Sequence, residues 1–231
     1  MSIFDVTIGA KSLTNDFDFI VSEFYVSPPE PYLVIIPVTG TSDVIDMTES
    51  LSGDIEYKQR KISIKTAFAK GKNKAYSQYS KLANYCHGRK MPIVCNRDSG
   101  FYWNGRINLD SFEKTFYGGT PIISAIVDPY KYEIQSSMDQ WIWDSFSFED
   151  GTIRNYYNIA VPGTITIIGR RKRVCPKFIC SGAMTVTYLG NSYNLATGES
   201  IVPDIFLGEG SHVLTFSGSG TVSVDYRGAS L

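Results

Sequence analysis

Lys61-Ile62-Ser63-Ile64-Lys65-Thr66-Ala67-Phe68, together with the segment from Ala75 to Gly88 and Pro92-Ile93-Val94-Cys95 beyond it, decides the fold class. Ile62, Ile64 and Phe68 fall at even spacing with Lys61, Ser63 and Lys65 between them, the period of a strand with one apolar and one wet face. After the breaker Lys70-Gly71-Lys72-Asn73, the residues Ala75, Tyr79, Leu82, Ala83 and Cys86 form one stripe of a 3.6-residue helix. The sequence predicts a helix over 73–88, capped by Asn73 and stopped by Gly88 in a left-handed turn. Arg89 and Lys90 suit the negative end of its dipole, and Pro92 bars continuation. A lone helix of about four turns is marginal in water, so its stripe is expected to lie on the sheet made by its neighbours.

Toward the N-terminus, Phe4, Val6 and Ile8, then Phe17, Phe19 and Val21, repeat every second residue and predict two half-buried strands. Ser27-Pro28-Pro29-Glu30-Pro31 reads as a stiff connector. Leu33 to Val38 is a continuous apolar run, which fits a strand covered on both faces or lying at a subunit contact. The segments Asp43–Thr48 and Ile55–Arg60 are expected to be the arms of a hairpin, with Gly53 in the turn between them. Acidic Asp46, Glu49, Asp54 and Glu56 precede basic Lys58 and Arg60. That split either closes across the hairpin or pairs head to tail with the next copy in a ring, making these six the candidate oligomer-interface residues.

Toward the C-terminus, Pro92–Cys95 and Phe101–Ile107 predict a second hairpin about Asn96–Gly100. Phe112–Phe116 and Pro121–Val127 follow as two more strands joined at Gly118-Gly119. Polar Ser136–Asp139 reads as a junction, which predicts two domains, 1–135 and 136–231. The second shows no helical period. Its strand candidates are Ile142–Phe148, Gly163–Ile168, Lys177–Cys180, Met184–Tyr188, Ser192–Leu195, Ser200–Phe206, Ser211–Phe216 and Thr221–Tyr226. With glycine-rich punctuation between them, these predict a β-sandwich or jelly roll.

Composition narrows the function classes. At 43% hydrophobic and 13% aromatic, the 231 residues can build real cores, and 22 basic against 23 acidic residues make no global field for nucleic acid or an anionic membrane. The apolar runs are too short to span a bilayer, and the N-terminus lacks a signal-peptide layout, so folding in a cytoplasm with protein partners is expected. Cys86, Cys95, Cys175 and Cys180 fit no common zinc spacing, His87 and His212 do not complete a ligand set, and free buried thiols are expected.

Cys86 and His87 are neighbours on the predicted helix, hence about 100° apart and not a catalytic pair. No glycine-rich phosphate loop opens a helix. The run Gly169-Arg170-Arg171-Lys172-Arg173 joins two strands and reads as a solvated turn or a rim contact with an acidic partner. Trp141 and Trp143 with Asp144, Glu149 and Asp150 could form a sugar platform or a glycosidase site. A domain-start strand with core tryptophans is the preferred reading, because no second acid sits at a defined spacing. No catalytic, metal or cofactor site is expected.

In chain order, Ile45-Asp46-Met47-Thr48-Glu49, Tyr57-Lys58-Gln59-Arg60, the single helix, Trp103-Asn104-Gly105-Arg106-Ile107, Asp128-Pro129-Tyr130-Lys131-Tyr132 and the closing Val224–Leu231 resemble the distal tail proteins of long-tailed phages and prophages of Gram-positive bacteria. The resemblance spans essentially the full length and rests on the order of the motifs. It implies a mainly β protein: an N-terminal β-sheet domain with one α-helix and a protruding hairpin, then a C-terminal galectin-like β-sandwich. It also implies a homohexameric ring in the virion tail tip, assembled in the bacterial host cytoplasm. Its partners would be the tail tube protein, the tail-tip hub or tail-associated protein and a receptor-binding protein, with no enzyme activity, cofactor, nucleic acid or membrane. The compact length resembles members without an inserted carbohydrate-binding module. The alternative is a carbohydrate-binding sandwich that contacts a cell-wall or receptor glycan through Trp141 and Trp143, and a cell-wall enzyme ranks third. Within the first reading, the helix buttresses the sheet and the charged hairpin does the joining.

Overall fold

The computed structural model describes residues 4–50, 52–68, 74–115, 118–139 and 154–231. The chain divides into two units, Met1–Asp98 with Trp103–Pro129, and Ser99–Tyr102 with Tyr130–Leu231. The junction expected at 135/136 therefore lies inside the second unit, and the division follows Pro129.

The first unit contains strands β1 (Val6–Ile8), β2 (Lys11–Ser12), β3 (Phe19–Val26), β4 (Ile35–Pro37), β5 (Val44–Asp46), β6 (Arg60–Phe68) and β7 (Lys90–Cys95). It also holds most of β8 (Phe101–Thr115), β9 (Gly118–Val127) and helices α1 (Leu13–Phe17) and α2 (Ala75–Cys86). An antiparallel sheet runs β2-β1-β7-β8-β9-β6-β3. Along β6 the side chains alternate as the sequence predicts, with Ile62, Ile64 and Phe68 buried and Lys61 and Lys65 exposed. The buried side joins Val6, Ile8, Phe19, Ile93, Ile107 and Ile123 in one core. Onto it α2 lays Ala75, Leu82 and Cys86, while Tyr79 stacks on Phe112 at 4.5 Å. Leu82 is completely buried, which contributes roughly 1.5–3 kcal/mol.

Several details of this unit differ from the expectation. Helix α2 starts at Ala75 after Lys74, whose side chain caps nothing; Asn73 lies outside the described residues. Gly88 does take the left-handed conformation, at φ +73°, but its N–H donates to the Ile107 carbonyl at 2.7 Å, which ties the helix end to β8. Lys90 reaches Asp128 at 3.7 Å rather than the helix terminus. Helix α1 replaces part of a predicted strand. Ser12 caps it by accepting from the Asn15 N–H, Asp16 accepts from the Ser12 N–H, and Leu13 and Phe17 are its buried residues. Leu13 and Phe17 are four apart, the helical spacing, so Phe17 belongs to a turn of helix and the strand starts at Phe19. The predicted strand 101–107 and residues 112–115 of the predicted strand 112–116 belong to one strand, β8, interrupted by a bulge between Leu109 and Ser111; Phe116 lies outside the described residues. A Cβ on Gly105 would meet the Ile126 carbonyl of the paired strand, so β8 and β9 approach there only because the residue is glycine.

The second unit contains β10 (Lys131–Glu133), β11 (Ile159–Gly169), β12 (Lys177–Cys180), β13 (Met184–Tyr188), β14 (Asn191–Leu195), β15 (Gly198–Ile201), β16 (Gly210–Asp225) and β17 (Ala229–Ser230). The predicted strands 211–216 and 221–226 are one continuous strand, β16. The residues expected to turn the chain, Gly218-Ser219-Gly220, bend it instead, with φ +126° and +113° at the two glycines. On one side of the bend β16 pairs with β13, and on the other with β12, while β11 follows it through a register shift. Two leaves therefore share the bent pair. Phe178 of one leaf meets Phe216 of the other edge-on at 6.0 Å inside a core with Val186, Leu214 and Val224, which makes the unit a β-sandwich. The predicted strand 200–206 stops at Ile201, because Val202 and Ile205 turn inward to the core. The predicted strand 142–148 lies outside the described residues.

The sandwich unit also buries a charge cluster. The Glu133 carboxylate, 6% exposed, accepts from Arg154 and from the Nε of Arg170 at 2.8 Å. It also accepts from the Gly228 N–H at 3.1 Å. Tyr132 pairs with Ala229 across β10 and β17, so this cluster draws together the 128–132 and 224–231 motifs.

Candidate functional site

The hairpin of the first unit forms with a different register from the predicted one. Its arms are 30–38 and 43–58: β4 pairs with β5 at Ile35↔Asp46, Ile36↔Ile45 and Pro37↔Val44. The ladder continues through Met47 N–H to the Val34 carbonyl and Tyr32 N–H to the Glu56 carbonyl, both 2.8 Å, and Lys58 N–H to the Glu30 carbonyl. The turn is at Gly40, φ +91°, so residues 43–48 and 55–60 share one arm and are not partners. Leu33 to Val38 supplied the missing partner. As a continuous apolar run it can face apolar surroundings on both sides, whereas in 55–60 Tyr57 makes only an isolated bridge to Pro31 and Arg60 already belongs to β6.

Both faces of this ribbon are apolar, and within the chain both are wet. Leu33 is 61% exposed, Val44 59%, Ile45 52% and Ile35 49%, and Tyr32, Val34, Ile36 and Met47 are exposed beside them. The first alternative for Leu33–Val38, a strand covered on both faces within its own chain, is therefore overturned. Isolated two-stranded hairpins are marginal in water, and contiguous exposed apolar surface of this kind marks an interaction site. Acids rim the ribbon. Asp46 accepts the Thr48 N–H at 2.9 Å, and hydrogen bonds from the Thr48 side chain and backbone hold its carboxyl below the usual carboxylate value. Glu49 and Glu56 are exposed and Asp54 is half-buried. Lys58 closes the base through Glu30 at 3.5 Å and lies over the Tyr32 ring.

Arg60, the sixth candidate, faces inward. It is 8% exposed, its Nε donates to the Ser27 carbonyl at 2.7 Å, and its guanidinium lies 4.7 Å from the centre of the Trp103 ring. Burial pushes its pKa down, though a guanidinium stays charged at neutral pH. The structure thus gives Arg60 an anchoring position at the hairpin root, where it ties Tyr57-Lys58-Gln59-Arg60 to Trp103-Asn104-Gly105-Arg106-Ile107. The only sequence signal for that role was the even spacing from Arg60 to Ile62 and Ile64 on the buried face of β6.

Other chemistry-bearing groups are engaged in packing. Cys86, Cys95 and Cys180 are buried and Cys175 is half-buried; all four are free, and burial pushes the Cys86 thiol up to about 11. The Cys86 Sγ contacts the Leu82 carbonyl, while His87 Nδ1 accepts the Leu109 N–H, so the two neighbours serve different partners. His212 bonds to the Tyr188 hydroxyl at 2.8 Å in the other unit. In the basic run, Arg170 pairs with Glu133, Lys172 donates to the Tyr132 hydroxyl and Arg173 covers Phe206, so it is not a solvated turn. Trp141, Trp143, Asp144, Glu149 and Asp150 lie outside the described residues. Among the described residues no group of His, Cys, Asp and Glu could hold a metal ion, and no helix is long and apolar enough to cross a membrane.

No protein-family model matches the chain, and no curated protein is recognisably similar to it. Among solved structures it is similar to the crystal structure of the SPP1 Dit (gp 19.1) protein, described as a paradigm of the hub adsorption apparatus in Gram-positive-infecting phages. The TM-score is 0.67 at 11% sequence identity, and the likeness covers 100% of both chains. What the two chains share is their fold, over their full length.

Proposed function

We propose that the chain is a structural protein of a phage tail tip: a distal tail protein whose copies form a hexameric ring linking the tail tube to the tail-tip hub and the host-adsorption apparatus. The observation that carries this reading is the ribbon of residues 32–47, whose apolar side chains are exposed on both faces in a single chain. Assembly gives those side chains cover. The full-length likeness in fold to a phage hub protein supports the same reading, as does the order of the six motifs. Function then resides in surfaces: the chain acts on no substrate, and it reaches the virion tail after assembly in the host cytoplasm. The hub and tube proteins are the proposed partners at the two sides of the ring, with a receptor-binding protein attached further out.

The test is solution mass with negative-stain imaging. Rings of six chains are expected as concentration rises, and a particle that stays monomeric across the whole range, with no rings in the images, would count decisively against the assignment.

A further inference from the structure

A ring needs two different patches on each copy, because identical patches close after two chains. The ribbon is one patch; the other must be apolar, exposed and opposite in charge. Charge is unevenly divided along this chain. Residues 30–58 hold six acids (Glu30, Asp43, Asp46, Glu49, Asp54, Glu56) and one base (Lys58), a net of 1 − 6 = −5. The remaining residues hold 22 − 1 = 21 bases and 23 − 6 = 17 acids, a net of +4. Two ribbons placed against each other would set acid against acid, so self-pairing is disfavoured.

The outer face of the sheet in the same unit has the complementary character. Across β8, β9 and β6 the register places Arg106, Ile126 and Lys61 in one row, and Tyr25 lies in the next row beside Ser63. Ile126 is 51% and Tyr25 52% exposed on the side away from the core. Among the described residues Lys61 makes no ion pair, and Arg106 reaches the Gly88 carbonyl at 2.6 Å rather than an acid. Lys65, by contrast, is neutralised by Glu23 at 2.8 Å, and Asp110 bonds to Ser124, so the uncompensated positive charge sits around Ile126.

We propose, resting on the ring-forming reading above, that the acidic apolar ribbon of one copy docks on the outer sheet face of the next, over Ile126 between Lys61 and Arg106 and over Tyr25 on the strand beyond Lys61. The contact is heterologous, so it propagates around a ring. Apolar area supplies the attraction and the charges set which patch meets which.

Three preparations of the full chain test it: wild type, an acceptor variant Lys61→Glu/Ile126→Glu, and a ribbon variant Ile45→Lys/Asp46→Lys. Light-scattering mass and images are compared over roughly a hundredfold range of concentration, with melting curves as the folding control. Wild type should form rings, each variant should stay monomeric, and an equimolar mixture of the two variants should give a dimer that grows no further. In that dimer the intact ribbon of the first lies on the intact sheet face of the second. Rings from the acceptor variant at wild-type concentrations would overturn this docking while leaving the ring-forming reading standing. Self-dimers of the acceptor variant would overturn it in favour of ribbon-to-ribbon pairing. A monomeric wild type would remove both readings. If the acceptor variant melts early, the milder Lys61→Ser/Ile126→Thr pair should still raise the assembly concentration by about tenfold or more, and an unchanged value would reject the docking.

Discussion

The ribbon at residues 30–58 and the Glu133 cluster treat solvent in opposite ways. In the ribbon, apolar side chains stand in water; in the sandwich unit, a carboxylate and two guanidiniums are drawn out of it. Within one chain the Glu133 carboxylate accepts from Arg154, Arg170 and the Gly228 N–H, while the buried Nε of Arg154 has no partner among the described residues. The ribbon has its backbone bonds satisfied and its side chains uncovered. Stability of the single chain and the proposed assembly therefore rest on different residues, and substitutions should separate them.

Glu133→Ala should have the largest effect on the single chain. It strands buried guanidinium charge, and a loss of about 3–5 kcal/mol in unfolding free energy is expected from denaturant titration. A loss under about 1 kcal/mol, the range of exposed ion pairs, would mean the cluster is solvated and the contrast with the ribbon is lost. Arg60→Ala comes next, since Arg60 is buried but outside the exposed part of the hairpin. It should cost about 1.5–3 kcal/mol by stranding the Ser27 carbonyl and uncovering Trp103, and hydrogen exchange should rise at the Tyr32 and Lys58 amides. Unchanged exchange there would detach the anchor from the hairpin.

Ile36→Ser should move monomer stability by no more than about 0.5 kcal/mol, because the side chain is already exposed, yet weaken assembly. A large loss of monomer stability would mean the ribbon is covered within its own chain. The smallest effect concerns Asp46. Its folded pKa is depressed below 3.8, so its contribution to the 46–48 turn is fully present above that value and lost as pH falls through the lower folded one. A carboxyl titration by NMR should find a midpoint below 3.8 that returns toward it in Thr48→Ala; an equal midpoint in both would reject the hydrogen bond as the cause.

Much of this architecture was legible because periodicity reports burial. The alternation at Ile62, Ile64 and Phe68, the stripe at Ala75, Leu82 and Cys86, and strands 177–180 and 184–188 all lie where their spacing predicts. Helix α1 was missed because five residues carry too little period, although Ser12, Asn15 and Asp16 held the capping signal. The hairpin was recognised but wrongly paired. Turn chemistry at Gly53 favours 55–60 as the second arm, while the apolar run 33–38 fits a strand covered on both faces as well as one at a subunit contact, and periodicity cannot distinguish a strand covered by its own chain from one awaiting a partner.

Local patterns therefore determined the class of this protein: a mainly β chain in two units, one long helix laid on the first sheet, and a glycine-punctuated sandwich after it. They could do so because side-chain alternation and turn chemistry act between near neighbours. Only the tertiary structure decided that Arg60 faces Trp103, that Gly218 and Gly220 bend one strand instead of ending two, and that Glu133 collects partners 21, 37 and 95 residues away. Those outcomes depend on which distant strands come to lie side by side, and long-range pairing leaves little trace in any short window of sequence.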